Sequence, residues 1–169
     1  MKVKHCLSML LLASKSAIHA FGSGRREDCH NIASSVGTHE NGILPCIAEV
    51  TFASRYLLAQ KGTADIGIII NIATTRPWGV CLDEPTYDSN KTTKAAVAML
   101  GCSDGTMKMV ANAAVTVGQL LYTAAAGKVS PTYGATLYMV GRALTPAAAD
   151  GDIIEVQHMF PMINAAATL

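Results

Sequence analysis

Residues 113–159 read AAVTVGQLLYTAAAGKVSPTYGATLYMVGRALTPAAADGDIIEVQHM, a series of short apolar runs broken at even intervals by glycine, proline and aspartate. That rhythm belongs to strands, because turn residues recur before a helical period can build one face. Three strands are predicted, at Val115–Tyr122, Thr136–Leu144 and Asp152–His158. Turns are predicted at Ala126-Gly127 and Asp150-Gly151-Asp152. The fold class expected from this stretch is all-β, a small antiparallel barrel or sandwich.

Upstream, Ile66–Ile72 (IGIIINI) is a β-branched run between Gly62 and Thr74-Thr75, too short for a helix and expected to be a strand buried on both faces. Ser103-Asp104-Gly105 marks a further turn. Two segments share a pattern, Trp78-Gly-Val-Cys-Leu82 and Val140-Gly-Arg-Ala-Leu144. Each precedes a turn-rich stretch and then an apolar strand, AAVAML or IIEVQHM. An internal duplication or two independent strands ending in similar turns would both give this pattern.

With 169 residues the chain has the length of one domain, or of one domain with an arm, and can hold a core without metal or disulfides. Charged residues make up 15% against 50% hydrophobic, below the roughly 25% charge of an ordinary soluble domain, so much of the surface is expected to face other protein. Thirteen basic and twelve acidic residues leave no basic block to track a phosphate backbone, and direct nucleic-acid binding is not expected. Aromatic residues are scarce at 5%, so the core is expected to be built from small side chains.

The five cysteines, Cys6, Cys29, Cys46, Cys81 and Cys102, form no Cys-x-x-Cys pair and no Cys/His grouping. They are expected to be buried thiols of a protein made in a reducing cytosol. No metal site and no cofactor are expected.

The first residues resemble a secretory signal, with Lys2 and Lys4, an apolar run from Leu7 to Ala13 and a small residue at Ala20. The run is short, Lys15 interrupts the stretch after it and Ile18 is a poor residue near a cleavage point, so the segment is expected to stay. It also falls short of the roughly 18 apolar residues of a membrane span, and no membrane partner is expected. Gly22–Thr38 has linker composition, with Arg25, Arg26, Glu27 and Asp28 as a mixed-charge run. The division expected is an N-terminal arm and linker at 1–38 and a β module at 39–169, with Leu10, Leu11 and Leu12 as apolar anchors of the arm.

Chemistry is hard to find. His39 with Glu40, His30 beside Cys29, and His158 among apolar neighbours make no nucleophile–base signature, and Gly22-Ser-Gly24 lacks the Lys-Ser/Thr of a phosphate loop. No catalytic residue is assigned and no enzyme is expected. Asp83, Glu84 and Asp88 around Pro85 are the densest acidic cluster; they read as a solvated turn before a Ca²⁺ site. The lone Trp78 fits either an interface anchor or the main core residue of the module.

The order of motifs carries a resemblance. VTVGQLLYT (115–123), AAGKVSP (125–131), VGRALTPAAADGD (140–152) and IIEV (153–156) are similar, in that order, to elements of tailed-phage capsid decoration proteins, also called cement proteins. HENGILP (39–45), SRYLLAQKG (54–62) and RPWGVCLDEP (76–85) resemble the opening half of the same module. Met1–Thr38 has no counterpart.

The resemblance implies a tulip-like β module behind an extended arm. It further implies a virion protein that binds the outside of an assembled capsid as a homotrimer and cements neighbouring subunits of the major capsid protein against internal pressure. Leu10, Leu11, Leu12, Arg25, Arg26 and Trp78 are the residues expected to make capsid or trimer contacts. The alternative is a small lipoyl- or SAF-like carrier domain, suggested by Gly151-Asp-Ile-Ile-Glu-Val156. That alternative lacks a modifiable lysine at a hairpin tip, since Lys128 beside Gly127 has no Met-Lys or Asp-Lys context.

Overall fold

A computed structural model of the chain describes residues 42–89, 93–103 and 105–163, all within one compact unit, Asn41–Leu169. The expected arm, with Leu10, Leu11, Leu12, Arg25 and Arg26, lies outside the described residues. The module is built from strands β1 Ile43–Ala48, β2 Leu58–Lys61, β3 Gly67–Ile70, β4 Gly79–Cys81, β5 Thr93–Met99, β6 Met107–Val110, β7 Leu120–Thr123, β8 Val129–Ser130, β9 Tyr138–Ala143 and β10 Ile153–Ile163. A 3-10 turn, Ala125–Gly127, joins β7 to β8.

Two five-stranded sheets result. The first closes into a barrel in the order β1-β3-β2-β4-β5, and the second runs β6-β10-β9-β7-β8. Read as a cycle, these are the same order. In both halves the first strand pairs antiparallel with the fifth, the fifth with the fourth, the fourth with the second and the second with the third. The parallel closure of β1 on β3, Ala48 opposite Ile68, has its counterpart in the parallel bridge Ala111–Val129.

The correspondence extends to single residues. Gly79 lies opposite Ala59 and Met99, and Gly141 lies opposite Leu121 and His158. Tyr56 N–H donates to the Cys81 carbonyl and Gly118 N–H to the Ala143 carbonyl, each at 2.8 Å. Phe52 N–H to Pro85 O matches Val115 N–H to Ala147 O, both at 3.0 Å. Tyr56 and Gly118 even share a left-handed backbone, φ 65° and 87°. The WGVCL and VGRAL segments are therefore the β4 and β9 positions of a structural repeat.

The halves differ in what covers them. Inside the first barrel lie Cys46, Phe52, Ala59, Ile68, Cys81 and Val97. Their counterparts in the second half, including Met109, Val115, Leu121, Val129, Ala143 and Val156, are buried together with Leu58, Val80, Ala98 and Leu100 of the first. Those four residues lie in the β2, β4 and β5 region and join the second half's core, so one apolar cluster is shared by both repeats beside the separate core inside the first barrel. Further links cross the junction. Gly127 N–H donates to the Asn71 carbonyl at 2.9 Å, and Thr123 Oγ1 donates to Ala73 O at 2.5 Å while accepting from Tyr138 N–H at 3.0 Å.

Several expectations need correction. The strand placed at Val115–Tyr122 begins only at Leu120. Val115 makes an isolated bridge to Ala147, and Thr116 to Gln119 turn through left-handed Gly118, with Thr116 N–H held by Gln119 Oε1 at 2.8 Å. Ile66–Ile72 is not buried on both faces. Ile68 is fully enclosed, but Ile66 and Ile72 are 42% and 55% exposed, because they lie beyond the ends of β3, which covers only Gly67–Ile70, and the outward-facing Ile69 is only partly buried. The last strand runs five residues past the expected end at His158, to Ile163.

Candidate interaction surface

Trp78 stands one residue before β4. Its N–H donates to the Ala59 carbonyl at 2.8 Å, and its carbonyl accepts from Leu100 N–H at 3.0 Å, so its backbone is held between β2 and the end of β5. The ring is half-buried. One part packs on the barrel core, and the rest lines a groove of about 270 Å³ with Arg76, Pro77, Met99, Leu100, Cys102, Phe160 and Pro161. Trp78 is thus partly a core residue, with one face of its ring left on the groove.

The far wall of the groove is made by the extension of β10. Pairing with β9 is regular to His158 opposite Gly141 and resumes only at Met162 opposite Met139, so three residues bulge out between. Pro161 sits in the bulge, where no ladder N–H is required of it. Phe160 is thrown outward and is 57% exposed, followed by Met162 at 50% and Ile163 at 55%. Two cations flank the groove, with Arg76 Cζ 4.3 Å from the Phe160 ring centroid and Lys61 Nζ 5.6 Å from that of Trp78.

The bulge is pinned from the β5–β6 turn. Gly101 has φ 78°, and a Cβ there would lie 2.9 Å from Phe160 Cα, so the turn presses directly on the strand backbone. Gly101 N–H donates to His158 Nδ1 at 3.1 Å, which places the neutral imidazole proton on Nε2, 3.1 Å from Ser103 Oγ. Burial holds the His158 pKa below its ordinary 6.5, since the charged ring would be poorly solvated and Nδ1 would lose its acceptor role.

The folded value lies below the unfolded one, so the stability from neutral His158 is complete above about pH 6.5 and is lost as pH falls through the folded pKa. Thermal melts between about pH 7.5 and 5.5 are expected to fall more steeply for the native chain than for His158→Asn, whose amide oxygen can accept from Gly101 without titrating. Parallel slopes would contradict this role.

The remaining candidates serve the fold. Asp83 Oδ2 accepts from Ala96 N–H at 2.7 Å, and Glu84 Oε1 accepts from Arg55 N–H at 3.3 Å. Among the described residues no three His, Cys, Asp or Glu side chains come together as a metal site, and no helix is long and apolar enough to cross a membrane. Lys128 is tied to Asp150 Oδ1 at 2.8 Å and is not presented at a free tip.

Cys46 and Cys81 are buried as expected, but Cys102 is exposed, because it sits in a turn outside the barrel. Cys6 and Cys29 lie outside the described residues. Burial raises the Cys46 pKa and pushes that of Cys81 up to about 11, so neither forms thiolate at neutral pH. Iodoacetamide is expected to modify these two only after unfolding, as read by peptide mass mapping. Modification of Cys81 in the folded protein would contradict its enclosure.

Comparison with known proteins gives a consistent picture. A sequence profile described as phage cement protein matches residues 56–158. Among solved structures, the N base of head fiber gp8.5 in bacteriophage phi29 aligns over 75% of this chain and 98% of that one, with TM-score 0.51 and 20% identity, a likeness of fold. No curated protein matches the sequence.

Proposed function

Because the chain belongs to the phage cement protein family, we propose that it binds the outer surface of an assembled capsid as a homotrimer and cements neighbouring subunits of the major capsid protein. That it is a structural protein of the phage virion follows from the family; the clamping role, the trimer and the outer position are the proposed part. The profile match over residues 56–158 carries the reading. The exposed apolar surface of Phe160, Met162 and Ile163 beside Trp78 supports it, because a solvent-facing cluster of that kind marks a protein contact.

Mechanically, a clamp needs complementary area spread over several contacts and needs no pocket. Three copies engaging the lattice together gain effective concentration, so modest contacts resist disassembly. Leu10, Leu11, Leu12, Arg25, Arg26 and Trp78 are the proposed contact residues, to capsid or to sister copies. Light scattering on the purified chain is expected to give a trimer, and the trimer is expected to co-sediment with expanded shells until a fixed number of sites is filled. A stable monomer at micromolar concentration would count against the trimer. Failure to sediment with shells would count against cementing.

A further inference from the structure

Gly42 packs beside the groove, and Ile163 lies in the same apolar strip. Gly42, the first described residue, has φ 63°, and a Cβ on it would lie 2.7 Å from Ser103 N and 2.8 Å from the Cys102 carbonyl carbon. Gly42 therefore packs hard against the Cys102 turn, and Cys102 lines the groove with Trp78 and Phe160. β10 reaches Ile163, three residues past Phe160.

The chemistry of the groove selects its occupant. Its lining includes Trp78, Met99, Leu100, Phe160 and Pro161. The flanking cations, Lys61 and Arg76, already lie over aromatic rings. An uncharged apolar segment fits such a site better than an acidic one. Outside the described residues, the sequence holds one run of that kind, Leu7-Ser-Met-Leu-Leu-Leu-Ala13; residues 164–169 offer only Leu169 as a large apolar side chain.

Resting on the proposal that copies assemble, we infer that the leader Leu7–Ala13 of one copy docks in the Trp78–Phe160 groove of a neighbouring copy. Leu10–Leu12 and Trp78 are then two sides of one contact between copies. Residues from Ala13 to Gly42 span at most roughly 100 Å when extended, several times the roughly 35 Å width of a module this size, so length permits the exchange. Exchange of a segment between identical copies is a low-cost route to assembly, and the groove lies where the tether starts. A leader returning to its own groove would close a loop on its own origin and link nothing.

Trp78 is the only tryptophan, so its emission reports the groove directly. In the full assembled chain, acrylamide quenching is expected to be weak. It should rise severalfold in Leu10→Ser/Leu11→Ser/Leu12→Ser, and likewise in Phe160→Ser, whose exposed side chain can be replaced without opening the core. Equal quenching in native and triple-serine chains would overturn the inference.

A mixture decides between copies. The triple-serine chain keeps its tryptophan and lacks anchors, whereas Trp78→Phe keeps anchors and is silent. After subunit exchange, shielding of the triple-serine tryptophan is expected to return. Quenching as strong as in the triple-serine chain alone would overturn docking between copies. Shell co-sedimentation of the native chain reads cementing separately, so a loss of shielding without a loss of binding, or the reverse, tells which proposal has failed.

Discussion

Leu58→Ala is expected to lower unfolding stability by about 2–5 kcal/mol, in one transition that carries both repeats down together. Leu58 is fully enclosed, and with Val80, Ala98 and Leu100 it joins the core formed by Met109, Leu121, Val140 and Ile154 of the second half. Truncation leaves a cavity in the interior the repeats share, and neither half can relax into it alone. The corresponding residue of the second repeat, Leu120, is only partly buried and has no third sheet to cover it. Leu120→Ala should therefore cost about 1 kcal/mol or less. Denaturant melts followed by far-UV circular dichroism and Trp78 emission make the test. Two separated transitions, with only one shifted by Leu58→Ala, would show that the shared core does not couple the halves.

The second large effect belongs to the paired glycines. A Cβ at Gly79 would stand 2.3 Å from the Ala98 carbonyl oxygen, and one at Gly141 would stand 2.7 Å from the Gln157 oxygen and 2.6 Å from Val156 Cγ1. These obstacles are largely backbone atoms of the neighbouring strand, which cannot retreat without spoiling the ladder. Gly79→Ala and Gly141→Ala are each expected to cost about 1–3 kcal/mol or more, the usual range for overpacking. Because the two positions are equivalent in the repeat, both should be damaging. A melt of either variant within about 0.5 kcal/mol of the native chain would contradict the close approach of β4 to β5 or of β9 to β10.

Those glycines also explain the likeness of two segments in the sequence, which left duplication and two independent strands both open. WGVCL and VGRAL resemble each other because the same crowded register forbids a side chain at Gly79 and at Gly141. The last strands were visible through Tyr138–Ala143 and Ile153–Val156, where apolar and turn residues alternate cleanly. Boundaries failed where local chemistry overrode the apolar pattern. Val117 looks like strand, yet Gly118 and the Gln119 side chain turn the chain before Leu120.

The groove was half legible. Trp78 stood out as the lone large ring of a chain poor in aromatics. Phe160, Met162 and Ile163 did not, because Pro161 reads as a strand stop and only the bulge after His158 lets β10 continue past it. No local pattern could have announced that Gly42 packs on Cys102 or that Gly101 presses on Phe160, since these pairs are far apart in sequence and are joined by tertiary packing alone.

Cementing itself is tested most directly on shells. Full-length protein added to expanded, undecorated capsids should raise the temperature at which they disrupt, with the rise saturating as the binding sites fill. The native chain bound at saturation with an unchanged disruption temperature, or no binding at any ratio, would contradict the account.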